Sequence, residues 1–187
     1  MITLDMIHDI CSAEGSLAFY ADRIVKNQVI KKINQITHWA RKQNYLIIHV
    51  RLGFRSDYLD GSFISPIFTK AQEHKAAIVA KWGGQFCQGL QIDNQDIQII
   101  KHRVSAFYAT DLELILRAND VKEIVLVGVS TNNAVELTAR EAHDRDFKIQ
   151  IIEDATECAN DEEKAASLRF LARIGNVLTT QNLLQST

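Results

Sequence analysis

The chain lacks the long apolar stretches of membrane proteins and the regularly spaced cysteines of disulfide-rich or zinc-binding proteins. Its 187 residues contain no stretch of about eighteen apolar residues, so we expect no membrane-spanning helix. The three cysteines, Cys11, Cys87 and Cys158, stand at unrelated spacings. An odd number of scattered cysteines argues against a disulfide framework or a zinc cluster, and it is typical of proteins from a reducing cytoplasm.

A strong charge of either sign is absent as well. The formal net charge is −2, so no broad basic surface indicates nucleic-acid binding. Asp5 and Asp9 fall where a signal peptide would need an apolar stretch, and we therefore expect a cytoplasmic protein. The chain has a single proline, Pro66, and no repeat or low-complexity segment. This organisation predicts one domain over residues 1–187.

Apolar runs of strand length alternate with segments of helical periodicity. Buried strands are predicted at 2–4, 46–50, 97–100, 124–129, 147–152 and 177–178. Helices are predicted at 22–44, 67–75, 111–117, 133–144 and 161–174. Continuous apolar strands separated by helices indicate a parallel sheet that is covered on both faces. The sequence therefore predicts a three-layer α/β/α domain with a mainly parallel sheet.

Polar side chains follow the predicted strands. In an open parallel sheet, ligands bind beyond the carboxyl ends of the strands. The residues at those ends are Asp5, Arg51, Lys101, Ser130, Thr131, Glu153 and Asp154. Because these ends lie on one edge of the sheet, the edge is expected to collect acids, bases and the free amides of a helix N-terminus.

Segments 4–9, 101–107 and 128–142 together resemble the isochorismatase-like cysteine hydrolases. That family has an aspartate after its first strand, a lysine just before Ser-Ala-Phe, and a Gly-Val-x-Thr-Asn-x-Cys-Val motif. Here the corresponding stretches read Leu-Asp-Met, Lys-His-Arg-Val-Ser-Ala-Phe and Gly-Val-Ser-Thr-Asn-Asn-Ala-Val. The resemblance runs in the same order along nearly the whole chain, and it implies the family's α/β hydrolase fold.

The resemblance assigns catalytic positions, one of which has lost its nucleophile. It implies that Asp5 is the acid/base residue, that Lys101 is the lysine of the family's catalytic triad, and that Ala134 stands where the triad has its cysteine. A cysteine works there because a helix N-terminus lowers the thiol pKa and offers N–H groups to an oxyanion. The expected substrate contacts are Arg51, Trp82, Ser130, Thr131 and Asn133. Arg51 follows the second strand, and Trp82 resembles part of a Trp-Gly element in the family's middle loop, where it either forms a pocket wall or anchors the loop.

Three consequences of Ala134 stay open from the sequence. The protein can hydrolyse a small-molecule amide or vinyl ether without covalent catalysis, using Asp5 and Lys101. True isochorismatases resemble this case, since they lack the cysteine and use the aspartate to protonate a vinyl ether. Alternatively, Cys11 or Cys87 supplies a substitute thiol, or the chain is a degenerate family member that binds a small molecule or a protein.

The resemblance also carries structural expectations. Asp5 and Lys101 should approach within about 4 Å, as an ion pair does. The Val129–Ser130 peptide bond should be cis, and the protein should form a homo-oligomer. No zinc or other cofactor is expected, because segment 51–57 lacks the Asp-x-His of nicotinamidase-like members and the six histidines show no ligand spacing. His49, inside an apolar strand, is expected to be a core residue.

Overall fold

The computed structural model describes residues 1–61 and 64–186, and its centre is a sheet of six strands. The strands are β1 (Ile2–Leu4), β2 (Ile48–Leu52), β3 (Ile97–Lys101), β4 (Glu123–Val129), β5 (Lys148–Glu157) and β6 (Asn176–Leu178). Their order across the sheet is β3-β2-β1-β4-β5-β6, and every neighbouring pair runs parallel. The predicted parallel sheet is confirmed.

Helices cover both faces of the sheet. They are α1 (His8–Cys11), α2 (Ala21–Lys26), α3 (Val29–Lys42), α4 (Pro66–Glu73), α5 (Leu112–Ala118), α6 (Glu136–Asp144), α7 (Asp161–Leu171) and α8 (Thr180–Gln185). The core on one face contains side chains from α1–α4 and α8, and the core on the other contains side chains from α5–α7. This arrangement confirms the three-layer α/β/α class. Within the described ranges, no helix has the length and apolar character needed to cross a membrane.

Strand β4 shows why its sequence is continuously apolar. Val125, Val127 and Val129 pack into the core on one face, whereas Ile124 and Leu126 pack into the core on the other. Successive side chains of a strand point to opposite faces, so a strand between two helical layers needs apolar residues at every position. The signal that predicted the strand is therefore a direct result of its burial on both faces.

Some element boundaries differ from the predicted ones. The helix predicted over 22–44 is two helices, because Gln28 adopts a left-handed conformation with φ of 53° between them. The helix predicted from 133 is preceded by a π-helical turn, Thr131–Val135, and α6 begins only at Glu136. Apolar periodicity marks which face is buried, but it does not register a local change of backbone winding.

Strand β5 extends five residues beyond its predicted end. Its register against β4 shifts between Leu126 and Gly128, and pairing resumes with Gly128 opposite Thr156. Glu153 and Asp154 therefore lie within β5 and do not follow it, which corrects their predicted position at the edge. Asp154 accepts hydrogen bonds from the backbone and side chain of Thr180 and so anchors α8. Residues 153–157 are mostly polar, so the apolar pattern that predicts a buried strand ends before them.

Gly128 allows β1 and β4 to approach closely. Its φ is 110°, and a Cβ atom there would overlap the backbone carbonyl of Leu4. Only glycine combines this backbone conformation with such a close neighbour at little cost. The contact lies one residue before Asp5, so it sets the separation of the two strands on which the site is built.

We expect Gly128→Ala to lower the free energy of unfolding by about 3 kcal/mol or more, because it adds a steric clash to a strained φ. The matched control is Gly89→Ala. Gly89 also has a positive φ, of 89°, but among the described residues its Cβ would meet only Ile30, at 3.8 Å. Backbone strain alone predicts a loss of about 1 kcal/mol for that variant. Urea denaturation measures both, and equal losses would show that the approach of β1 and β4 is not tight.

Candidate active site

The site lies where the strand order reverses. Strands β2 and β3 are on one side of β1, and β4–β6 are on the other. At such a point the loops that leave the two central strands diverge, and a crevice opens beyond their carboxyl ends. Asp5 directly follows β1 and Ser130 directly follows β4, so both border this crevice.

Asp5 and Lys101 form a buried ion pair. The Lys101 Nζ donates to Asp5 Oδ2 at 2.7 Å, which confirms the predicted approach of the two side chains. The same Nζ donates to the carbonyl oxygens of Arg103 at 3.1 Å and Val104 at 2.9 Å. An ammonium group has three protons, and here protein acceptors take all of them. Lys101 therefore holds Asp5 in place and has no proton left for a ligand.

The Asp5 carboxylate is held from both sides but keeps free lone pairs. Its Oδ1 accepts a hydrogen bond from the Leu52 amide at 2.6 Å. Burial raises the pKa of Asp5, while the charge and hydrogen bond of Lys101 and the Leu52 amide oppose that rise. Each carboxylate oxygen offers about two lone-pair directions, and one partner per oxygen leaves room for a water molecule or ligand.

Backbone conformation also distinguishes Asp5. Its φ is 54°, in the left-handed region that non-glycine residues seldom adopt. Its carbonyl accepts the amide of Ile7 at 2.9 Å, which stabilises the sharp turn out of β1. The turn directs the chain away from the sheet immediately after the carboxylate.

The turn after β4 starts with a cis peptide bond between Val129 and Ser130, as predicted. The amides of Asn133 and Val135 both donate to the Ser130 carbonyl, at 3.2 and 3.1 Å, and close the π-helical turn. Within it, Ala134 is 2% exposed. The Thr131 hydroxyl donates to Thr156 on β5 at 3.0 Å, so this side chain anchors the turn to the sheet.

A cavity of about 360 Å³ joins these groups. The predicted site residues among its lining are Asp5, Lys101, Ser130, Asn133 and Ala134. Most of the remaining wall is apolar and comes from the segment around α1 and α2 and from α4. The structure thus brings together the three positions that the family resemblance assigns to catalysis, in a volume suited to a small molecule.

Three predicted contacts lie elsewhere. Thr131 bonds to β5 and does not line the cavity. Arg51 donates to the carbonyl of Gly84, and its guanidinium lies 5.1 Å from the ring centre of Phe86. It therefore fastens the loop between α4 and β3 to β2. Trp82 stacks on His8 with ring centres 4.2 Å apart and is 52% exposed.

The position of Arg51 and Trp82 outside the cavity lining has a structural cause. The loop that carries Trp82 packs on α1, where Gly83 lies against the Asp9 carboxylate. Its side chains therefore meet the outside of α1, and α1 itself supplies the cavity wall through Ile10. His49 is fully buried, as predicted, and its Nε2 lies 3.1 Å from Asp96.

Sequence reasoning missed Tyr20 and the contribution of α4. Tyr20 lines the cavity together with Ser130 and Asn133, and these two side chains oppose the rise that burial causes in its pKa. Phe68 and Lys70 of α4 also line the cavity. Segment 12–20 has no regular apolar period, so nothing in the pattern placed it at the site. The only local signal was the aromatic pair of Phe19 and Tyr20 just before a helix.

The native thiols do not reach the cavity. Cys11 Sγ faces the Asp5 carbonyl at 3.8 Å and the Met6 sulfur at 3.9 Å. Burial raises the pKa of Cys11, and neither it nor Cys87 lines the cavity. The structure therefore gives no support to a substitute nucleophile. Among the residues described, no three His, Cys, Asp or Glu side chains are grouped so that they could hold a metal ion.

Comparison with known proteins agrees with this fold. A model of the isochorismatase domain matches residues 1–182. The chain is 32% identical over 174 residues to the isochorismatase family protein YecD of Escherichia coli O157:H7, covering 92% of this chain and 90% of that protein. It is 29% identical over 195 residues to the ureidoacrylate amidohydrolase RutB of Caulobacter segnis, covering 96% and 82%.

Solved structures show the same fold. A cysteine hydrolase from Pseudomonas syringae pv. phaseolicola superposes with a TM-score of 0.87 at 24% identity, covering 98% of this chain and 89% of that one. With the domain match across nearly its whole length, the chain belongs to the isochorismatase family.

We expect Lys101→Met to destabilise the protein by about 3–5 kcal/mol at neutral pH, because it leaves the Asp5 carboxylate buried without its cation. Burial already raises the pKa of Asp5, and removal of Lys101 should raise it further. The penalty then applies above the ordinary carboxyl pKa and is relieved as pH falls and Asp5 takes up a proton. Urea denaturation at about pH 5 and pH 7.5 should therefore show a smaller loss at the lower pH.

The double variant Asp5→Asn/Lys101→Met is the control for this charge effect. It has no buried carboxylate, so it should be more stable than Lys101→Met at neutral pH and should lose the pH dependence of the difference. An equal loss at both pH values in the single variant would mean that Asp5 is not held as a carboxylate by Lys101.

Proposed function

We propose that this protein hydrolyses a small molecule at an amide-type bond without a covalent enzyme intermediate. Asp5 activates the water molecule, and Lys101 positions Asp5. The observation that carries the proposal is the buried Asp5–Lys101 pair, which lines the same cavity as Ala134. This geometry supports Asp5 as the acid/base residue and Lys101 as its partner. The side chain of Ala134 is a methyl group, which cannot form a thioester intermediate with the substrate.

The proposed reaction needs no group beyond those in the cavity. The Asp5 carboxylate takes a proton from water as the water oxygen attacks the carbonyl carbon, and the C=O electron pair moves to oxygen. When that pair returns, the C–N bond breaks and Asp5 delivers its proton to the leaving nitrogen. The products are a carboxylic acid and an amine, or ammonia if the amide is primary, and Asp5 is again ionised.

The size and lining of the cavity limit the substrate. About 360 Å³ with mainly apolar walls accepts a small molecule with an apolar body. The printed activity of one relative, ureidoacrylate amidohydrolase, is consistent with amide chemistry at this position. Lys70, at the wall formed by α4, forms no ion pair among the described residues and would favour substrates with a negative end.

Hydrolysis of a vinyl ether is a second candidate, favoured by one observation. Burial raises the pKa of Asp5 and so favours the protonated acid that such a substrate requires. The two reactions depend on pH in opposite directions. Amide hydrolysis needs the carboxylate, so its rate should rise with pH through the pKa of Asp5; protonation of a vinyl ether needs the acid, so its rate should fall there.

We expect Asp5→Asn to lower kcat/KM by a factor of about 10²–10⁴, the usual contribution of a general acid–base residue. The measurement is a screen of the purified protein on small amides and vinyl ethers, followed by a pH–rate profile on the best substrate. Asp57→Asn is the matched control, since Asp57 is a surface partner of Arg55. Activity that survives in Asp5→Asn contradicts the mechanism, and a complete absence of turnover favours a family member that only binds its ligand.

A second variant tests whether position 134 retains the surroundings of a nucleophile. We expect Ala134→Cys to carry a thiol whose pKa lies below the ordinary value of about 8.5, because the start of the helical segment and Lys101 both favour the thiolate, while Asp5 opposes it. Alkylation by iodoacetamide at mildly acidic pH should be much faster than in the unmodified protein. There the native cysteines, all buried, provide the control. An equal rate in both proteins would mean that position 134 does not favour an anion.

A further inference from the structure

Hydrolysis at a carbonyl needs a donor for the oxygen that becomes negative, and several obvious donors of this site are already used. The three protons of Lys101 go to Asp5, Arg103 and Val104. The amides of Asn133 and Val135 both point to the Ser130 carbonyl. A further donor from a side chain must belong to a residue that lines the cavity.

Tyr20 meets this requirement. It lines the cavity together with Ser130, Asn133 and Ala134. The side chains of Ser130 and Asn133, which precede Ala134 in the chain, favour the ionised form of its phenol and so act on it directly. A phenol oxygen accepts hydrogen bonds and still has its own O–H to donate.

The position of Tyr20 is fixed by contacts outside the cavity. Its carbonyl accepts the amide of Ile24 and so begins α2. Arg23 of that helix and Asn27, the residue directly after it, donate to the carboxylate of Glu157, which is fully buried on β5. The Arg23 Nη2 lies 3.0 Å from Glu157 Oε1. These ties anchor to the sheet the helix that Tyr20 precedes, and a preorganised donor stabilises developing charge best when it is fixed in this way.

The phenol is also in the correct protonation state. Burial raises the pKa of Tyr20, and the side chains of Ser130 and Asn133 only partly oppose that rise. The hydroxyl consequently keeps its proton at neutral pH and is available as a donor.

We propose that the Tyr20 hydroxyl is the side-chain hydrogen-bond donor to the substrate oxygen that becomes negative during hydrolysis. This rests on the proposed function and narrows it to carbonyl substrates, since the vinyl-ether route builds up positive charge and not an oxyanion. It also gives the cavity an anion-binding wall made of Tyr20, Ser130 and Asn133, opposite in role to the base Asp5.

The test uses an introduced thiolate as the anion, so it needs no substrate. In Ala134→Cys the thiol pKa is measured from the pH dependence of iodoacetamide alkylation, and the measurement is repeated in Ala134→Cys/Tyr20→Phe. Loss of one donor should raise the thiol pKa and lower the alkylation rate at mildly acidic pH roughly three- to tenfold. The matched control, Ala134→Cys/Tyr108→Phe, removes a phenol that is 57% exposed and outside the cavity lining, and should leave the pKa unchanged.

An unchanged thiol pKa in the Tyr20→Phe protein would overturn the inference. If that protein does not fold, Ala134→Cys/Asn133→Ala is the second test. It leaves the phenol in place without one of its partners, so a smaller rise in thiol pKa is expected, and the absence of any rise again overturns the inference.

The outcomes separate this inference from the proposed function. A raised thiol pKa without turnover of any amide keeps Tyr20 as an anion donor and removes the hydrolase. Turnover that depends on Asp5, with no effect of Tyr20 on the thiol pKa, keeps the hydrolase and removes the Tyr20 role. On an active amide, Tyr20→Phe should lower kcat more than it changes KM, because the oxygen carries full charge only in the transition state.

Discussion

The buried ion pair between Asp5 and Lys101 is the interaction on which the site depends. Asp5 follows β1 and Lys101 ends β3, so the pair reaches across β2, whose Leu52 amide donates to the same carboxylate. Burial of either charge alone would cost several kcal/mol, and their pairing offsets much of that cost. The sheet order that places β1 next to both β2 and β4 is what allows one carboxylate to face a lysine on one side and the turn after β4 on the other.

The site has two sides that carry different chemical groups. On one side, the protons of Lys101 are consumed by the protein, and Asp5 keeps lone pairs toward the cavity. On the other side, the turn that carries Ala134 presents no nucleophile at that position, and polar side chains gather around the Tyr20 hydroxyl. In the proposed function, Asp5 acts as a base across an apolar cavity from these side chains, an arrangement suited to the addition of water to a polarised bond.

Elements far from the chemistry decide whether these groups meet. Glu157, fully buried on β5, accepts hydrogen bonds from α2 and thereby fixes the segment that carries Tyr20. Gly128 lets β1 and β4 come close enough for the loops after them to share one crevice. Neither residue touches the cavity, yet each fixes a distance across it. The loop between α4 and β3 is held from outside the cavity, since Arg51 of β2 donates to Gly84 in this loop and Trp82 of the loop stacks on His8 of α1.

The sequence by itself determined the layers of the fold and the residues at the ends of its central strands. Buried strands require apolar residues on both faces, and this pattern is visible in the sequence. The segments around Asp5, Lys101 and Ala134 are short contiguous motifs that can be recognised without the structure. Only the tertiary structure decided which side chains line the cavity. Tyr20 comes from a segment without regular periodicity, and Phe68 and Lys70 come from a predicted helix whose place beside the site no local pattern indicates. Thr131 bonds to Thr156 on β5, whereas the preceding Ser130 lines the cavity. The physical reason is that the direction of a side chain beyond a strand end depends on backbone turns and long-range hydrogen bonds, which leave no periodic trace in the chain.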